Sequence, residues 1–345
     1  METPNSLRYL HLPQELTEEI LSRLAVKSLL RFRCVSKSWC SLIDSERFIK
    51  THLQNSSRNT AFSHHRLINI LKNSKKLFDD EMSSWSESVR MVGCCNGLVC
   101  CCINLKKGRF LLWNPATRIS KELPQLIIEN GDLPYPIYGF GWDESSGAYK
   151  VFVIFCSGRK FMGKVYSSNT NSWKTVEFCD FRWIYGNAQF VSGKLHWVSK
   201  NNDEMNVFEI VTFDLKKEEF GVMKLPCDQA SVLRLGVNEG RLTMICRKKI
   251  MKHAIDVWVM KQDCWVKVMD VVVYDPCEIL PSVAPFCAVY DAEIRLVRGS
   301  NFKLYDQARD DMRLQIKKIR ASLQAHLYIE SLVSPVPDKN LCRAI

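Results

Sequence analysis

Leu12-Pro13-Gln14-Glu15-Leu16-Thr17-Glu18-Glu19-Ile20-Leu21-Ser22-Arg23-Leu24 begins a run that continues through Leu29-Leu30-Arg31-Phe32-Arg33-Cys34-Val35 and Ser36-Lys37-Ser38-Trp39 to Ile43. Leu12, Leu16, Ile20 and Leu24 recur every four residues with Leu21 beside them, so a helix here carries a continuous apolar stripe. Pro13 fits a first turn, where its missing N–H costs nothing, and Glu15, Glu18 and Glu19 sit near the positive end of the helix dipole. A second apolar set follows at Leu29, Leu30, Phe32 and Val35. A third lies at Trp39, Leu42 and Ile43, behind Ser36, which is suited to cap a helix. About forty residues cannot enclose this many large apolar groups without a disulfide, a metal or a partner. The surplus faces either the rest of the chain or a second protein, where each fully buried Leu or Phe contributes about 1.5–3 kcal/mol.

The whole chain of 345 residues, 46% hydrophobic and 25% charged, is long enough for two domains or one small unit and one large one. A polar start and an amphipathic helix occupy its opening, and nowhere is there an apolar run of about eighteen residues, so neither a secretory signal nor a membrane span is expected. Fifteen cysteines, an odd number, fit a reducing cytoplasmic or nuclear location better than a disulfide scaffold. The formal charge of +11 raises nucleic acid or an acidic partner. Basic residues are scattered, however, and the densest later run, Arg247-Lys248-Lys249 with Lys252, is the size of a hairpin tip. Without a nucleic-acid-binding motif, no nucleic-acid partner is expected.

From Val92 onward helical spacing gives way to short alternating runs of Val, Ile, Phe, Trp and Tyr broken by turn residues. An aromatic residue, a polar turn and another bulky residue seven positions on recur as Tyr166 with Trp173, Phe213 with Phe220, Trp258 with Trp265 and Tyr305 with Met312. Trp113 starts the pattern too, with Ile119 one position early. Steps between successive aromatics are 53, 47, 45 and 47 residues, a period proper to propellers and solenoids. Turns at Asn96-Gly97, Ser146-Gly147, Ser192-Gly193 and Glu239-Gly240 lead into strands at Leu98, Val151, Leu195 and Leu242. Each unit reads as a four-stranded antiparallel blade, and blades stack because none buries both faces alone. Five units span residues 92 to 320. Strands at 62–78, with parts at His65 to Leu71 and Lys76 to Phe78, and at 323–333 are expected to join as a sixth blade; a β-sandwich is the competing architecture.

The stretch from Leu12 to Trp39 resembles an F-box of the plant type. The resemblance implies a three-helix unit that docks on the Skp-type adaptor of a cullin-RING ubiquitin ligase. Leu12, Pro13, Leu16, Ile20, Leu21, Leu24, Leu29, Leu30, Phe32, Val35 and Trp39 then form that contact or its immediate support. Arg23, Lys27, Arg31, Arg33 and Lys37, with no acid among them, suit an acidic adaptor. Further on, Gly97-Leu98-Val99-Cys100, Leu111 to Arg118, Tyr138 to Asp143, Tyr149 to Val151 and Glu330 to Val333 resemble the F-box-associated domain, a kelch-related, propeller-like unit that selects the ligase's target. The expected organisation is a leader at 1–11, the F-box at 12–50, a linker at 51–61, the β domain at 62–335 and a tail at 336–345.

No catalytic centre is nominated. Cys94, Cys95, Cys100, Cys101 and Cys102 flank a tight turn, but neighbours on a strand point to opposite faces and do not converge on a metal. The seven histidines are dispersed, and His196 beside Trp197 reads as a blade residue. Phosphate-binding loops, dinucleotide fingerprints and Gly-x-Ser-x-Gly elbows are missing. The expectation is a non-catalytic receptor without cofactor, metal or membrane contact. Trp142, Trp183, Tyr185 and Trp197 are either target-facing anchors or inter-blade core. An adaptor-bound scaffold and a propeller lectin or enzyme with a central pocket are the rival readings.

Overall fold

The computed structural model describes residues 13–58, 65–71, 89–104, 107–127, 136–157, 160–178, 183–200, 208–226, 230–238, 240–248, 254–272, 287–290, 293–298, 301–306, 311–313 and 322–336. Four helices come first: α1 (Gln14–Ser22), α2 (Val26–Phe32), α3 (Lys37–Ile43) and α4 (Glu46–Arg58). Among the described residues no helix is long and apolar enough to cross a membrane. Pro13 precedes α1 in an extended conformation, and its carbonyl accepts the Thr17 N–H at 3.1 Å. Ser36 caps α3 as its position indicates, its Oγ accepting the Trp39 N–H at 3.1 Å. Ser36→Ala is expected to lower the unfolding free energy by about 1 kcal/mol in urea titration, with fraying confined to α3.

The fourth helix corrects the expected three-helix unit and the linker set over 51–61. Phe48, His52 and Ser56 recur every four residues and are all buried, yet two of the three are polar, so hydropathy alone displays no period there. A polar partner makes the burial of His52 favourable. His52 Nε2 donates to the Leu24 carbonyl at 2.8 Å, and Asn55 Nδ2 donates to Ser22 Oγ at 3.0 Å, tying α4 to the α1 end of the unit. Leu21, Val26, Leu29, Ile43 and Phe48 form the helical core, and Leu332, distant in sequence, completes it.

After the helices the described residues form five four-stranded sheets. The first comprises Arg90–Cys95, Leu98–Asn104, Arg109–Asn114 and Ile119–Glu122, and the second Ile137–Asp143, Ala148–Ser157, Lys160–Ser167 and Ser172–Phe178. Trp183–Val191, Lys194–Lys200, Phe208–Asp214 and Glu219–Met223 make the third; Ala230–Asn238, Arg241–Lys248, Ala254–Lys261 and Cys264–Val272 make the fourth. The fifth holds Cys287–Tyr290, Glu293–Arg298, Asn301–Asp306 and Asp311–Arg313. Every sheet is an antiparallel meander in chain order, and the first strands of successive sheets adjoin. This is a propeller-like succession of blades. The two packed sheets of a sandwich would require strands to cross between layers.

The repeat spacing is the register of the outer hairpin in each blade. Tyr166 pairs with Trp173, Phe213 with Phe220 and Tyr305 with Met312. In the fourth sheet a bulge shifts the pattern, so Trp258 pairs with Lys267 and Trp265 with Met260. In the first sheet Ile119 opposes Asn114, which leaves Trp113 facing Ser120. The turns at Asn96-Gly97 and Ser192-Gly193 carry positive φ at both residues, 52° and 81°, 49° and 76°, the geometry that closes a two-residue hairpin with the twist of its strands.

Among the described residues the first and last strands meet as a pair rather than as the expected four-stranded blade. His65–Leu71 pairs antiparallel with Ser322–Ile329, the two forming one two-stranded sheet among the described residues. The expected strand at Lys76 to Phe78 lies outside the described residues, as do the leader and Leu12. Ser322–Ile329 stops short of the expected Val333, and residues 330–336 run on without strand pairing. Asn114 holds this segment: its Nδ2 donates to the carbonyls of Ser331 at 2.9 Å and Val333 at 2.7 Å. Ser331 Oγ donates to the Asn96 carbonyl at 2.8 Å. A Cβ on Gly97 would lie 2.1 Å from Ser331 Oγ, so glycine is required there for space as well as for its φ of 81°.

Blades two and three are joined by a buried ion network. Lys150 Nζ lies 3.1 Å from both Asp143 Oδ2 and Glu218 Oε1 and also donates to the Leu215 carbonyl. Burial by itself raises the Asp143 carboxyl, but hydrogen bonds from Ser145, Ser146 and Lys150 outweigh it and hold the group well below the usual carboxylate range.

Candidate functional site

The apolar stripe of α1 divides into two parts. Leu21 is fully buried in the helical core, whereas Leu16 and Ile20 are 48% and 53% exposed. Residues i and i+4 share a face, so Leu16 and Ile20 stand one above the other on the side of α1 turned away from the core. Val35, between α2 and α3, is 62% exposed and adds a third large apolar group. Exposed Leu, Ile and Val are individually ordinary; here the Leu16 and Ile20 pair on α1 and Val35 after α2 stay exposed although the core of the helical unit is closed.

Other residues expected at the interface are divided by burial. Pro13 is exposed at the start of α1, and Leu24, Leu30, Phe32 and Trp39 are half-buried against the core. Phe32 and Trp39 meet edge to face with ring centroids 5.6 Å apart, locking α2 to α3. Leu21 and Leu29 have no free surface and hold the helices in place from within. Sequence spacing does not separate these roles, because one stripe supplies both core and surface.

The basic residues divide in the same way. Arg33 is buried and paired with Asp44 at 2.9 Å, so it stabilises the unit internally and adds nothing to the surface. Arg23 pairs with Glu19 one turn away, and Glu18 accepts a two-pronged contact from Arg47 at 2.9 Å. Lys27, Arg31 and Lys37 are exposed.

Within the β domain the side chains examined as chemical candidates are packing groups. Trp197 is fully buried and its Nε1 donates to the Tyr138 carbonyl at 3.0 Å, while Trp142 is partly buried against Tyr149, ring centroids 4.5 Å apart. Side chains of Trp183 and Tyr185 lie outside the described residues. Cys95, Cys100 and Cys102 join one apolar cluster and Cys94 and Cys101 another, as strand alternation requires. Burial pushes these thiols up, Cys101 to about 12 and Cys102 to about 11, so they pack as small apolar groups. Between the first and third sheets, Asn187 Nδ2 donates to the Met91 carbonyl at 2.6 Å.

Burial lowers His196 to about 4, partly countered by its contact with the Gln189 carbonyl. An unfolded His titrates near 6.5, so between those values the unfolded chain binds a proton the native one does not, and stability falls as pH drops. The loss amounts to about 3 kcal/mol across the window. Urea unfolding from pH 7 down to 4 is expected to follow this fall, and His196→Gln to flatten it.

A small helical unit with exposed apolar residues thus precedes a blade-built domain. Residues 9–51 match the F-box domain and residues 46–332 the F-box associated beta propeller domain, so the chain belongs to the F-box proteins with an associated β-propeller. It is similar to the F-box/kelch-repeat protein At3g23880 of Arabidopsis thaliana, 28% identical, with 94% of this chain and 96% of that protein aligned. The F-box protein CPR1 of the same plant is also 28% identical, over 93% of this chain and 88% of its own length. Among solved structures, TolB from Acinetobacter baumannii superposes with a TM-score of 0.39 at 7% identity, covering 70% of this chain and 58% of TolB.

Proposed function

We propose that this protein is the target-recognition subunit of a cullin-RING ubiquitin ligase of the Skp-adaptor type. The helical unit docks on the adaptor, and the β domain holds a protein target. The observation that carries this reading is the exposure of Leu16, Ile20 and Val35 on a helical unit whose core is already closed by Leu332. Pro13, Leu24, Leu30, Phe32 and Trp39 flank them, Leu12 extends the stripe in sequence, and Leu21 and Leu29 support it from below. Exposed Lys27, Arg31 and Lys37 suit an acidic adaptor surface.

The mechanism is proximity. Ubiquitin transfer is performed by the ligase's conjugating partner, and this chain raises the local concentration of target lysines beside the charged thioester. None of its own side chains needs to touch the reacting atoms. The five cysteines packed as apolar groups in the first sheet support a reducing compartment, cytoplasmic or nuclear.

Affinity capture with the protease blocked, followed by mass spectrometry, tests the reading. The full chain is expected to bring down the adaptor, a cullin and at least one further protein whose half-life shortens when the chain is present. Capture of the adaptor with no effect on any captured protein's half-life would instead make the chain a scaffold.

A further inference from the structure

The seam between the first and second sheets is closed by the segment that leaves the first. Leu123 and Leu126 are each 3% exposed within the shared core, and their N–H groups donate to the Phe110 and Gly108 carbonyls at 2.9 Å. The Pro124 carbonyl between them accepts from Trp173 Nε1, on the outer strand of the second sheet, at 2.7 Å. An indole donor at this seam is thus satisfied by a leucine-bearing peptide segment.

The seam between the third and fourth sheets is built differently. Val198 and Ile210 of the third and Met244 and Cys246 of the fourth form its floor, and Met223, Leu225, Trp258, Met260 and Trp265 pack on them half-buried. Ile119 and Glu219 each oppose the last residue of a third strand, so by register Leu123, Pro124 and Leu126 correspond to Met223, Lys224 and Pro226. Met223 and Pro226 are only half-buried and Lys224 is exposed, which leaves this seam less completely sealed. Both of its indole N–H groups are turned inward, and among the described residues neither Trp258 Nε1 nor Trp265 Nε1 has a hydrogen-bond partner. The bulge in the fourth sheet accounts for Trp265, because it places that residue opposite Met260 instead of in the position opposite the first aromatic that Trp173 holds against Tyr166. Asp256, on the same strand face as Trp258, is held by Lys267 at 3.1 Å.

We infer that the seam between the third and fourth sheets is the docking site for a leucine-bearing segment of the target, whose backbone carbonyls accept from Trp258 and Trp265 while its apolar side chains lie against Met223, Leu225 and Met260. The inference rests on the receptor reading and names the part of the β domain that holds the target. Two buried donors without acceptors in one cluster are an unfavourable arrangement that a bound acceptor relieves. The first seam shows the chemistry of the occupant, since a peptide segment there supplies both the carbonyl and the leucines. Tryptophan is enriched where a few contacts carry most of the binding energy, and unbranched methionine moves readily to admit a neighbour.

Two labelled peptides test this on the full chain by fluorescence anisotropy: one with the sequence of residues 121–128, and the same peptide with Leu123→Ser and Leu126→Ser. The first is expected to bind at least about tenfold more tightly than the second. Trp258→Phe and Trp265→Phe keep an aromatic ring and remove the donor; each is expected to weaken the first peptide about threefold, and the pair about tenfold. Trp173→Phe, at the first seam, is expected to leave its affinity within about twofold. Nitrogen-15 spectra of the tryptophan indoles in the unsubstituted chain are read in parallel, the Trp258 and Trp265 signals moving downfield as peptide is added and the Trp173 signal staying in place. Should the double variant fail to fold, these shifts decide. Equal binding of both peptides, unchanged affinity in the double variant, or indole signals of Trp258 and Trp265 already at hydrogen-bonded positions in the free chain would overturn the inference, as would loss of binding in Trp173→Phe alone. Adaptor capture on the same samples separates the two readings: peptide binding absent with capture intact removes this inference alone, and capture absent with peptide binding intact removes the receptor reading.

Discussion

Leu332→Ala is expected to lower the unfolding free energy by about 3 kcal/mol, although residue 332 lies nearly 300 positions from the helices it affects. The side chain is fully buried among Leu21, Val26, Leu29, Ile43 and Phe48. Removing it leaves a cavity between units held from different directions, so collapse is restricted and the cost falls in the middle of the range for a buried leucine. Asn114 grips the backbone on either side of Leu332, so the segment itself stays in place and the void remains. Urea titration gives the magnitude, and hydrogen exchange locates it: amides of α1 to α4 are expected to exchange faster while those of the second and third sheets do not change. A loss under about 0.5 kcal/mol would mean that the helical core closes without this residue.

Leu16→Asp with Ile20→Asp is expected to abolish adaptor capture while leaving the melting temperature nearly unchanged. Both side chains are about half exposed, at 48% and 53%, so in the free chain the new carboxylates remain hydrated. In an interface that covers them, two apolar contacts are replaced by two unpaired buried charges, a penalty of several kcal/mol. Each 1.4 kcal/mol is a tenfold change in affinity, so the loss is on the order of a thousandfold or more. A pull-down with purified adaptor, paired with a melting curve, reads both arms. Strong capture by the double variant would place the adaptor elsewhere on the chain.

Legibility of the chain followed the way each element encodes itself. Helices α1 to α3 were readable because apolar spacing, an acidic first turn and the Ser36 cap agree with one another. The second half of α4 was not, since its buried face is carried by the polar residues His52 and Ser56, and the burial of His52 depends on the Leu24 carbonyl far away in sequence. Blades announced themselves through turn residues and cross-strand bulky pairs, but a local bulge moved Trp258 out of register with Trp265. Bulges are set by tertiary fit and leave no trace in alternation. Leu332 read as the continuation of a strand, because nothing local distinguishes an apolar residue that packs on its own sheet from one that reaches a neighbouring unit. Along the stripe proposed to meet the adaptor, the division into exposed and supporting members was not legible. That division depends on how the helices pack, which the stripe alone does not specify.

The most direct test of the central claim is hydrogen–deuterium exchange on the full chain, alone and with saturating Skp-type adaptor. The account predicts slowed exchange concentrated in residues 13–43, strongest around Leu16, Ile20 and Val35, with the sheets unaffected. Unchanged exchange throughout α1 to α3, or protection appearing only in the sheets, would contradict it.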